Sequence, residues 1–552
     1  MAESPLVIQS DGTILLFVDH PVYTSIRDHL ARFAELVKSP EHIHTYRLSR
    51  ISLWNAASCG VDRDKVIAFL HRHSRYTVPD NIITFIQDSY ENYGLLYLSG
   101  SPFDTVLKAR KGHEGLLGKL AGNRQISKCL QPGPGSLLRV NPVKRGELKR
   151  LLIERGYPVE DRAGYVSGDP FPIALRQGPG FKLRPYQKEA AALFFQQGDP
   201  RGGSGVVCLP CGSGKTVVGM RVMELVSAKT LILVANVVAA RQWKKELLDK
   251  SNVPADAIGE YSGDTKEIRP ITIATYQILT YRKRKTDPFV HFSLFQQQKW
   301  GLIVYDEVHL LPAPVFQITA QVQATRRLGL TATLIREDGK EKDVFSLIGP
   351  KKYDVPWQTL EKKGFIAKAV CCEIRVSLPQ EDKLQYLTAT KRRAFRIASE
   401  NHKKEDVVDY LLKKYHGQKI LVIGHYIRQL QHLAQRFKLP LIKGDTPNKK
   451  RMELFNLFRN NQVPRLLLSK VGNVAIDIPD ASILIQVSGT FGSRQEEAQR
   501  LGRILRPKER PALFFTIITR QTQEQEFAHH RQIFLAEQGY SYKIIDFAEN
   551  AL

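Results

Sequence analysis

The 552-residue sequence is poor in cysteine and has neither a long apolar run nor a low-complexity tract. Six cysteines in a chain of this length argue against a disulfide framework and indicate a reducing compartment. No stretch of about 18 apolar residues is present, so no transmembrane helix is expected. The first twelve residues have no basic or apolar region of the kind that a secretion signal needs. The sequence also has no short-period repeat.

Acidic residues are scarce relative to basic ones. The chain has 81 Lys and Arg against 55 Asp and Glu, which gives a formal net charge of +26. Such a charge indicates a polyanionic partner, most simply a nucleic acid, with a basic solvated surface as the alternative. Hydrophobic residues make up 43% and charged residues 25%, as in soluble globular proteins, and the length allows about three or four domains.

One segment has the pattern of a phosphate-binding loop. It follows an apolar run at 206–209 and precedes helical spacing at 217–226, so it joins a buried strand to a helix. Its glycines allow successive N–H groups to turn inward around a phosphate, which the positive end of the helix dipole also attracts. Lys215 is placed to reach the β- and γ-phosphates, and the Thr216 hydroxyl to bind Mg²⁺.

The loop residues assigned to the nucleotide are Leu209, Pro210, Cys211, Gly212, Ser213, Gly214, Lys215 and Thr216. A plain glycine turn is the alternative, because Leu209 stands where the usual pattern has Gly or Ala. Gln187 lies upstream, near the start of a predicted helix, and its amide could pair with an adenine edge because it offers a donor and an acceptor together. Arg184 is assigned to the nucleotide as well. Taken alone, a Gln near the start of a helix is more simply explained as a surface residue.

An acidic pair follows a series of apolar runs. The runs at 230–234, 271–274 and 302–305 alternate with helical segments, which predicts a parallel sheet covered on both faces. Asp306 and Glu307 directly follow the last of these runs, at the edge where such sheets bind ligands. Asp306 can hold Mg²⁺, and Glu307 can orient or deprotonate the attacking water. His309 either relays the state of the γ-phosphate or is simply packed.

The segment containing Thr331 and Thr333 is expected to be a hydrogen-bonded hinge, with an ordinary strand end as the alternative. Farther on, residues 380–404 are predicted to be helical and basic. This run either grips the DNA backbone or is a solvated face, and its cations are Lys391, Arg392, Arg393, Arg396, Lys403 and Lys404. Apolar runs at 420–423, 441–442, 465–469, 482–487 and 513–517 predict a second sheet.

A basic helix is predicted at 499–506. Arg500, Arg503 and Arg506 lie along one face of it, and a guanidinium carried by a second lobe can reach the γ-phosphate only when two lobes close. Contact with DNA is the alternative for this helix, and for Arg506 in particular.

Several of these motifs resemble those of superfamily 2 helicases: the phosphate loop, residues 306–309 and residues 331–333. Arg336, Glu337 and Asp338 resemble an additional motif of the XPB-type DNA repair and transcription helicases. Residues 469–479, 499–506 and 538–542 are similar to that family's late motifs, and residues 5–93 to its N-terminal domain. The chain lacks the long charged extensions of eukaryotic members and so resembles a compact prokaryotic version.

The resemblance implies roles for further residues. Arg503 matches the family's arginine finger and Arg500 its partner, Gln499 joins them as catalytic, and Arg506 contacts the nucleotide. His309, Thr331, Thr333 and 336–338 would couple the site to DNA, and the basic run would occupy the family's thumb-like insertion. ATP and Mg²⁺ are the implied cofactors, and 3′ to 5′ the implied polarity.

The sequence therefore predicts an α/β protein with two RecA-like, doubly wound parallel-sheet lobes and a smaller mixed α+β N-terminal region. The expected regions are 1–100, a poorly readable 101–180, lobe 1 at 181–355 and lobe 2 at 356–552. The expected function is an ATP-dependent 3′–5′ DNA helicase or translocase in DNA repair. A duplex translocase that never separates strands and an ATP-gated DNA-binding scaffold are the alternatives. The expected partners are DNA and a nuclease or other repair protein. We expect a monomer in the cytoplasm with the nucleoid, or in the nucleus of a eukaryote.

Overall fold

The computed structural model forms two compact units. The first comprises residues 1–35, 45–209 and 214–355, and the second comprises 36–44, 210–213 and 356–552. The described residues are 4–38, 42–133, 137–178, 180–210, 212–284, 286–332, 341–355, 360, 364–365, 369–469, 481–488, 511–528 and 541–547. The predicted site residues outside these ranges are Cys211, Thr333, Arg336, Glu337, Asp338, Gln499, Arg500, Arg503 and Arg506.

The chain begins with a four-stranded sheet in the order β1-β2-β4-β3 and four helices. A hairpin joins the antiparallel strands β1 and β2, and Gly12 in its turn takes φ +84°. Helix α1 ends at Leu30, and residues 35–38 form a strand that buries Leu36 and exposes Val37 and Lys38. The elements are β1 (Leu6–Ile8), β2 (Thr13–Phe17), α1 (Tyr23–Leu30), β3 (Glu35–Lys38), β4 (Ile43–Arg47), α2 (Arg50–Ser58), α3 (Arg63–His73) and α4 (Asp80–Asn92).

The poorly readable region folds as a small α/β domain. Its five-stranded sheet has the order β7-β8-β6-β5-β9, in which only the β5–β9 pair is parallel. Leucines from the sheet and from α7 form its buried core. The elements are β5 (Leu96–Gly100), β6 (Thr105–Ala109), α5 (Glu114–Ala121), α6 (Arg124–Ser127), β7 (Leu130–Pro132), β8 (Leu138–Val140), α7 (Arg145–Glu154) and β9 (Val159–Asp161).

A seven-stranded parallel sheet completes the first unit, in the order β12-β13-β11-β14-β15-β10-β16. Every residue of β10, β11 and β13 is buried, as the apolar runs predict. Strands β12, β15 and β16 were not predicted. The elements are α8 (Pro185–Phe195), β10 (Ser204–Cys208), α9 (Lys215–Val226), β11 (Thr230–Val234), α10 (Val237–Lys250), β12 (Ile258–Tyr261), β13 (Ile271–Thr275), α11 (Tyr276–Leu279), β14 (Leu302–Asp306), α12 (Ala313–Gln321), β15 (Arg326–Thr331), α13 (Glu341–Asp343) and β16 (Lys351–Asp354).

The second unit contains another seven-stranded parallel sheet, in the order β19-β20-β18-β21-β22-β17-β23. All five predicted runs are strands here, whereas β17 and β23 were not predicted. The elements are β17 (Ala369–Val376), α14 (Gln380–Thr388), α15 (Lys391–Ser399), α16 (Lys403–Lys414), β18 (Ile420–Gly424), α17 (Ile427–Phe437), β19 (Leu441–Ile442), α18 (Asn448–Arg459), β20 (Arg465–Ser469), β21 (Ile483–Gln486), β22 (Ala512–Thr519) and β23 (Ser541–Asp546).

The predicted fold class is confirmed: two RecA-like parallel-sheet lobes follow a mixed α+β N-terminal region. The exact limits of the four predicted regions stay predictions. Among the described residues, none of the helices has the length and apolar character needed to cross a membrane.

Candidate nucleotide site

The predicted phosphate loop connects the end of β10 to the start of α9. Gly212 and Gly214 have φ of +77° and +84°, a left-handed conformation that glycine adopts without a Cβ clash. The Leu209 N–H donates to the carbonyl of Thr331 at 2.9 Å, so the loop starts beside the end of β15. The chain therefore has the strand–turn–helix geometry that the motif requires.

Lys215 meets Glu307 where β10 and β14 reach the same edge of the sheet. The Lys215 Nζ lies 3.4 Å from Glu307 Oε1, and the two side chains are 11% and 23% exposed. Burial by itself would raise the pKa of Glu307, but the charges of Lys215 and His309 outweigh it and lower that pKa. Glu307 is thus held as a carboxylate beside the lysine of the phosphate loop.

Asp306 is held by groups that the sequence did not predict. The indole Nε1 of Trp243 donates to Asp306 Oδ2 at 2.8 Å, and the Glu307 N–H donates to Oδ1 at 3.1 Å. The hydroxyl of Tyr276 donates to the Asp306 carbonyl at 2.9 Å. Burial, and then the charge of Glu307, raise the pKa of Asp306 to about 6.

Glycine makes room for this indole. A Cβ on Gly219 of α9 would lie 2.6 Å from Cη2 of Trp243, closer than real Cβ contacts come. The absence of a side chain at 219 therefore lets Trp243 reach across α9 to Asp306. An aromatic residue inside a helix is usually a core residue, so the sequence carried no signal for this contact.

The acidic pair is joined to β15 through His309. The His309 Nδ1 lies 2.7 Å from Thr331 Oγ1 and 3.5 Å from Glu307 Oε2. Glu307 itself has φ +50°, a left-handed conformation that is unusual for a residue with a side chain and often marks a functional site. Thr331 is the last residue of β15 and is buried, and its role as a hinge stays a prediction.

Gln187 packs against the phosphate loop rather than lying on the surface. It is 4% exposed, and a Cβ on Gly214 would lie 2.7 Å from its Nε2. Its Oε1 accepts from the Arg184 N–H at 3.0 Å and so caps α8. The Arg184 Nη1 lies 3.2 Å from the Tyr186 hydroxyl, and Thr216 is half-buried in the first turn of α9.

The predicted basic run separates into two groups in the second unit. Helix α15 buries Ala394, Phe395 and Ala398 and exposes four cations: Lys391, Arg392, Arg393 and Arg396. Lys404 of α16 is different, because its side chain is only 1% exposed and pairs with Glu524. The prediction that Lys404 belongs to an exposed basic face was therefore wrong.

Comparison with known proteins identifies the family. Residues 360–551 match a model described as the ERCC3/RAD25/XPB C-terminal helicase, and residues 180–336 one described as the type III restriction enzyme res subunit. Residues 6–132 match a helicase conserved C-terminal domain. The chain is 50% identical over 550 residues to the DNA 3′-5′ helicase XPB of Kineococcus radiotolerans, which covers 99% of this chain and 97% of that protein. The chain belongs to the XPB helicase family.

Other XPB relatives span bacteria and eukaryotes. The DNA 3′-5′ helicase XPB of Mycobacterium tuberculosis is 48% identical, over 99% of this chain and 98% of its own length. In Saccharomyces cerevisiae, the XPB/SSL2 helicase/translocase subunit of general transcription and DNA repair factor IIH is 31% identical, over 99% of this chain and 72% of that protein. The family predicted from the motifs is thus confirmed over nearly the whole chain.

Proposed function

We propose that this XPB-family chain is an ATP-dependent 3′–5′ DNA helicase or translocase that acts in DNA repair. The observation that carries the proposal is the contact of Lys215 with Glu307 at the carboxyl edge of the first parallel sheet. A phosphate-binding lysine and a carboxylate base within 3.4 Å of each other are what the cleavage of a γ-phosphate requires.

Each charged group of this site has a separate task. Lys215 stabilises the negative charge of the transferred phosphoryl group, and Glu307 accepts a proton from the attacking water. Gln187 and Arg184 bind the base, since Gln187 lies against the loop and accepts a hydrogen bond from the Arg184 N–H. His309 connects the carboxylate to the carboxyl end of β15 through Thr331, so that a change at the phosphate can reach the segment that follows that strand.

The donor set of the site fits a magnesium ion. Burial and the neighbouring Glu307 raise the pKa of Asp306, so a divalent cation there would relieve the repulsion between the two carboxylates. Asp306 and the Thr216 hydroxyl are the oxygen ligands we assign, in keeping with the preference of Mg²⁺ for oxygen. Bound Mg²⁺ would neutralise charge on the phosphates, while Trp243 fixes the direction of the carboxylate.

We propose further roles for residues whose motifs resemble those of the family. From the resemblance of its motif, we assign Arg503 as the arginine finger, with Arg500 and Gln499 as further catalytic residues and Arg506 as a nucleotide contact. The exposed cations of α15 bind DNA phosphates, for which clustered Lys and Arg suffice. We propose that DNA binding is coupled to the nucleotide site by Thr333, Arg336, Glu337 and Asp338. We propose that the protein works as a monomer on junctions of single- and double-stranded DNA, with a nuclease or other repair protein as partner.

The deciding experiment measures ATP hydrolysis without DNA and with single-stranded, forked and duplex DNA, beside strand displacement on a 3′-tailed fork. DNA-stimulated hydrolysis with displacement is the expected result. Stimulated hydrolysis without displacement would indicate a duplex translocase, and no hydrolysis on any DNA would indicate an ATP-gated scaffold. Lys215→Ala should lose nucleotide binding or hydrolysis. Arg503→Ala should bind ATP but lose the stimulation, and normal hydrolysis by this variant would refute the finger assignment.

A further inference from the structure

A buried ion pair lies in the second lobe, away from the nucleotide site. The side chains of Lys404 and Glu524 are 1% and 0% exposed. The Lys404 Nζ donates to both carboxylate oxygens of Glu524 at 2.7 Å and to the carbonyl of Val487 at 3.0 Å. Val487 directly follows β21, and Glu524 lies in a helical segment that begins at Gln523, just after β22. Lys404 therefore joins the start of α16 to the carboxyl ends of two neighbouring strands.

The same junction holds the end of α15. The Ser399 hydroxyl donates to Glu524 Oε1 at 3.3 Å, and the Thr519 N–H donates to Oε2 at 2.9 Å. The Thr519 hydroxyl donates to the Ala398 carbonyl at 2.7 Å and accepts from Asn401 Nδ2 at 3.1 Å. The last turn of the exposed basic helix is thus tied by directional bonds to the end of β22.

Stability alone does not explain why these groups are charged. A buried ion pair is often no more stabilising than a well-packed apolar pair of the same volume, because both charges must leave water. A fully satisfied polar network does restrict its members to one arrangement, since every alternative leaves a buried donor or acceptor unpaired. The pair therefore fixes α15 and α16 in one position against β21 and β22.

The position of this junction in the chain suggests what it transmits. On one side, α15 exposes Lys391, Arg392, Arg393 and Arg396, which suit DNA phosphates. On the other side, β21 is the strand from which the chain continues toward the predicted arginine finger, Arg503. A fixed link between them means that α15 cannot shift on DNA without moving the end of β21.

We propose that Lys404 and Glu524 are positioning residues that make ATP turnover depend on DNA, by holding the basic helix α15 in register with the carboxyl ends of β21 and β22. This inference rests on the proposed function, because it supposes DNA-stimulated ATP hydrolysis. Both side chains are buried, so they act through the elements that they hold rather than by binding nucleotide or DNA themselves. The pair acts through α15 on one side and through β21 on the other.

The test removes both charges at once in the full-length protein. Lys404→Met with Glu524→Met leaves no unpaired buried charge and roughly preserves volume, so the double variant should fold. ATP hydrolysis is measured without DNA and across a titration with forked DNA. We expect hydrolysis without DNA and the DNA concentration for half-stimulation to stay within about threefold, and the stimulated rate to fall about tenfold, as typical coupling energies imply.

Two further variants separate coupling from a merely structural role. Lys413→Met, in the same helix α16, removes an exposed lysine that pairs with Asp409, and should leave all three quantities unchanged. Lys404→Arg keeps the charge and should retain more of the stimulation than the double variant. A structural role alone would lower the basal and stimulated rates together.

The outcomes distinguish a failure of the proposed function from a failure of the positioning role. Absence of stimulation in the wild-type protein would refute the proposed function, whereas normal stimulation in the double variant would refute the positioning role alone. A parallel loss of basal and stimulated rates would also overturn it. Should the double variant not fold, Thr519→Val serves instead, because it removes the two hydroxyl bonds to Ala398 and Asn401 and leaves the ion pair in place. That variant should lose several-fold in stimulated rate only, and unchanged stimulation would overturn the proposal.

Discussion

Replacing Trp243 by phenylalanine tests whether the indole hydrogen bond orients the Asp306 carboxylate. The substitution keeps an aromatic ring at a site that is 1% exposed and removes the indole N–H, which donates to Asp306 Oδ2 at 2.8 Å. The Glu307 N–H still donates to the other oxygen, so the carboxylate stays in place but is free to rotate about that bond. The variant therefore separates the orientation of the carboxylate from its presence.

The size of the effect follows from the kind of bond that is lost. A hydrogen bond to a charged group contributes about 1.5–3 kcal/mol. If all of it acts in the transition state, the turnover number should fall by about 10- to 100-fold. The indole bond also lowers the pKa of Asp306, so its loss should favour the protonated acid and weaken the binding of Mg²⁺. A higher Mg²⁺ concentration should then be needed for half-maximal hydrolysis.

The assay is steady-state ATP hydrolysis with saturating DNA across a range of Mg²⁺ concentrations. Trp300→Phe is a matched control, because Trp300 lies in the same lobe, is 2% exposed and donates to the Leu294 carbonyl at 2.9 Å instead of to a carboxylate. Both variants should lose stability through the smaller ring, but only Trp243→Phe should lose turnover per folded molecule. Wild-type turnover and Mg²⁺ dependence in Trp243→Phe, or an equal loss in both variants, would refute the reasoning.

Three other substitutions test the surroundings of the site. Burial lowers the pKa of Lys149 to about 8, whereas an unfolded lysine has a pKa of about 10.4. Because the unfolded chain then binds the proton more tightly, the wild type should gain about 2 kcal/mol between pH 8 and 10 that Lys149→Met lacks, measured by denaturant unfolding. Gly146→Ala would place a Cβ 2.5 Å from the Ala320 carbonyl oxygen and should destabilise the first unit by about 1–3 kcal/mol; an unchanged unfolding midpoint would contradict this. Replacing the three cations 391–393 by serine should reduce the slope of log affinity against log salt by about 2–3, and an equal slope would show that α15 does not bind phosphates.

The parts of the fold that were predicted are those in which composition alone decides the structure. Strands β11, β14 and β18 each contain a continuous apolar run because both faces of a parallel sheet are covered, so such a run between helices predicts each one. Strand β15 was missed because it begins with Arg326 and Arg327, and Arg327 is fully buried through bonds to backbone carbonyls. No periodicity in the sequence indicates that an arginine will be satisfied in this way.

The residues of the candidate site also fall into two groups, those that a local pattern indicates and those that only the fold brings together. Lys215, Asp306 and Glu307 could be predicted because glycine-rich turns and paired carboxylates are local patterns. Trp243 and Tyr276 could not, since their contacts with Asp306 span 63 and 30 residues and each side chain has an apolar ring suited to any core. Prediction therefore found the groups that carry charge and missed those that orient them.

Two buried ion pairs show that not every basic residue of this protein is available to bind DNA. Lys404 and Arg145 belong to basic stretches of the sequence, yet each is matched inside the fold by a carboxylate, of Glu524 and Asp161 respectively. A matched pair adds nothing to the net charge of +26, so that excess must be carried by other cations. The exposed residues 391–393 of α15 are among those that remain available for phosphates. Substitution of Lys404 should therefore leave the salt dependence of DNA binding unchanged, while substitution of residues 391–393 should reduce it; the reverse pattern would mean that the ion pair opens when DNA binds.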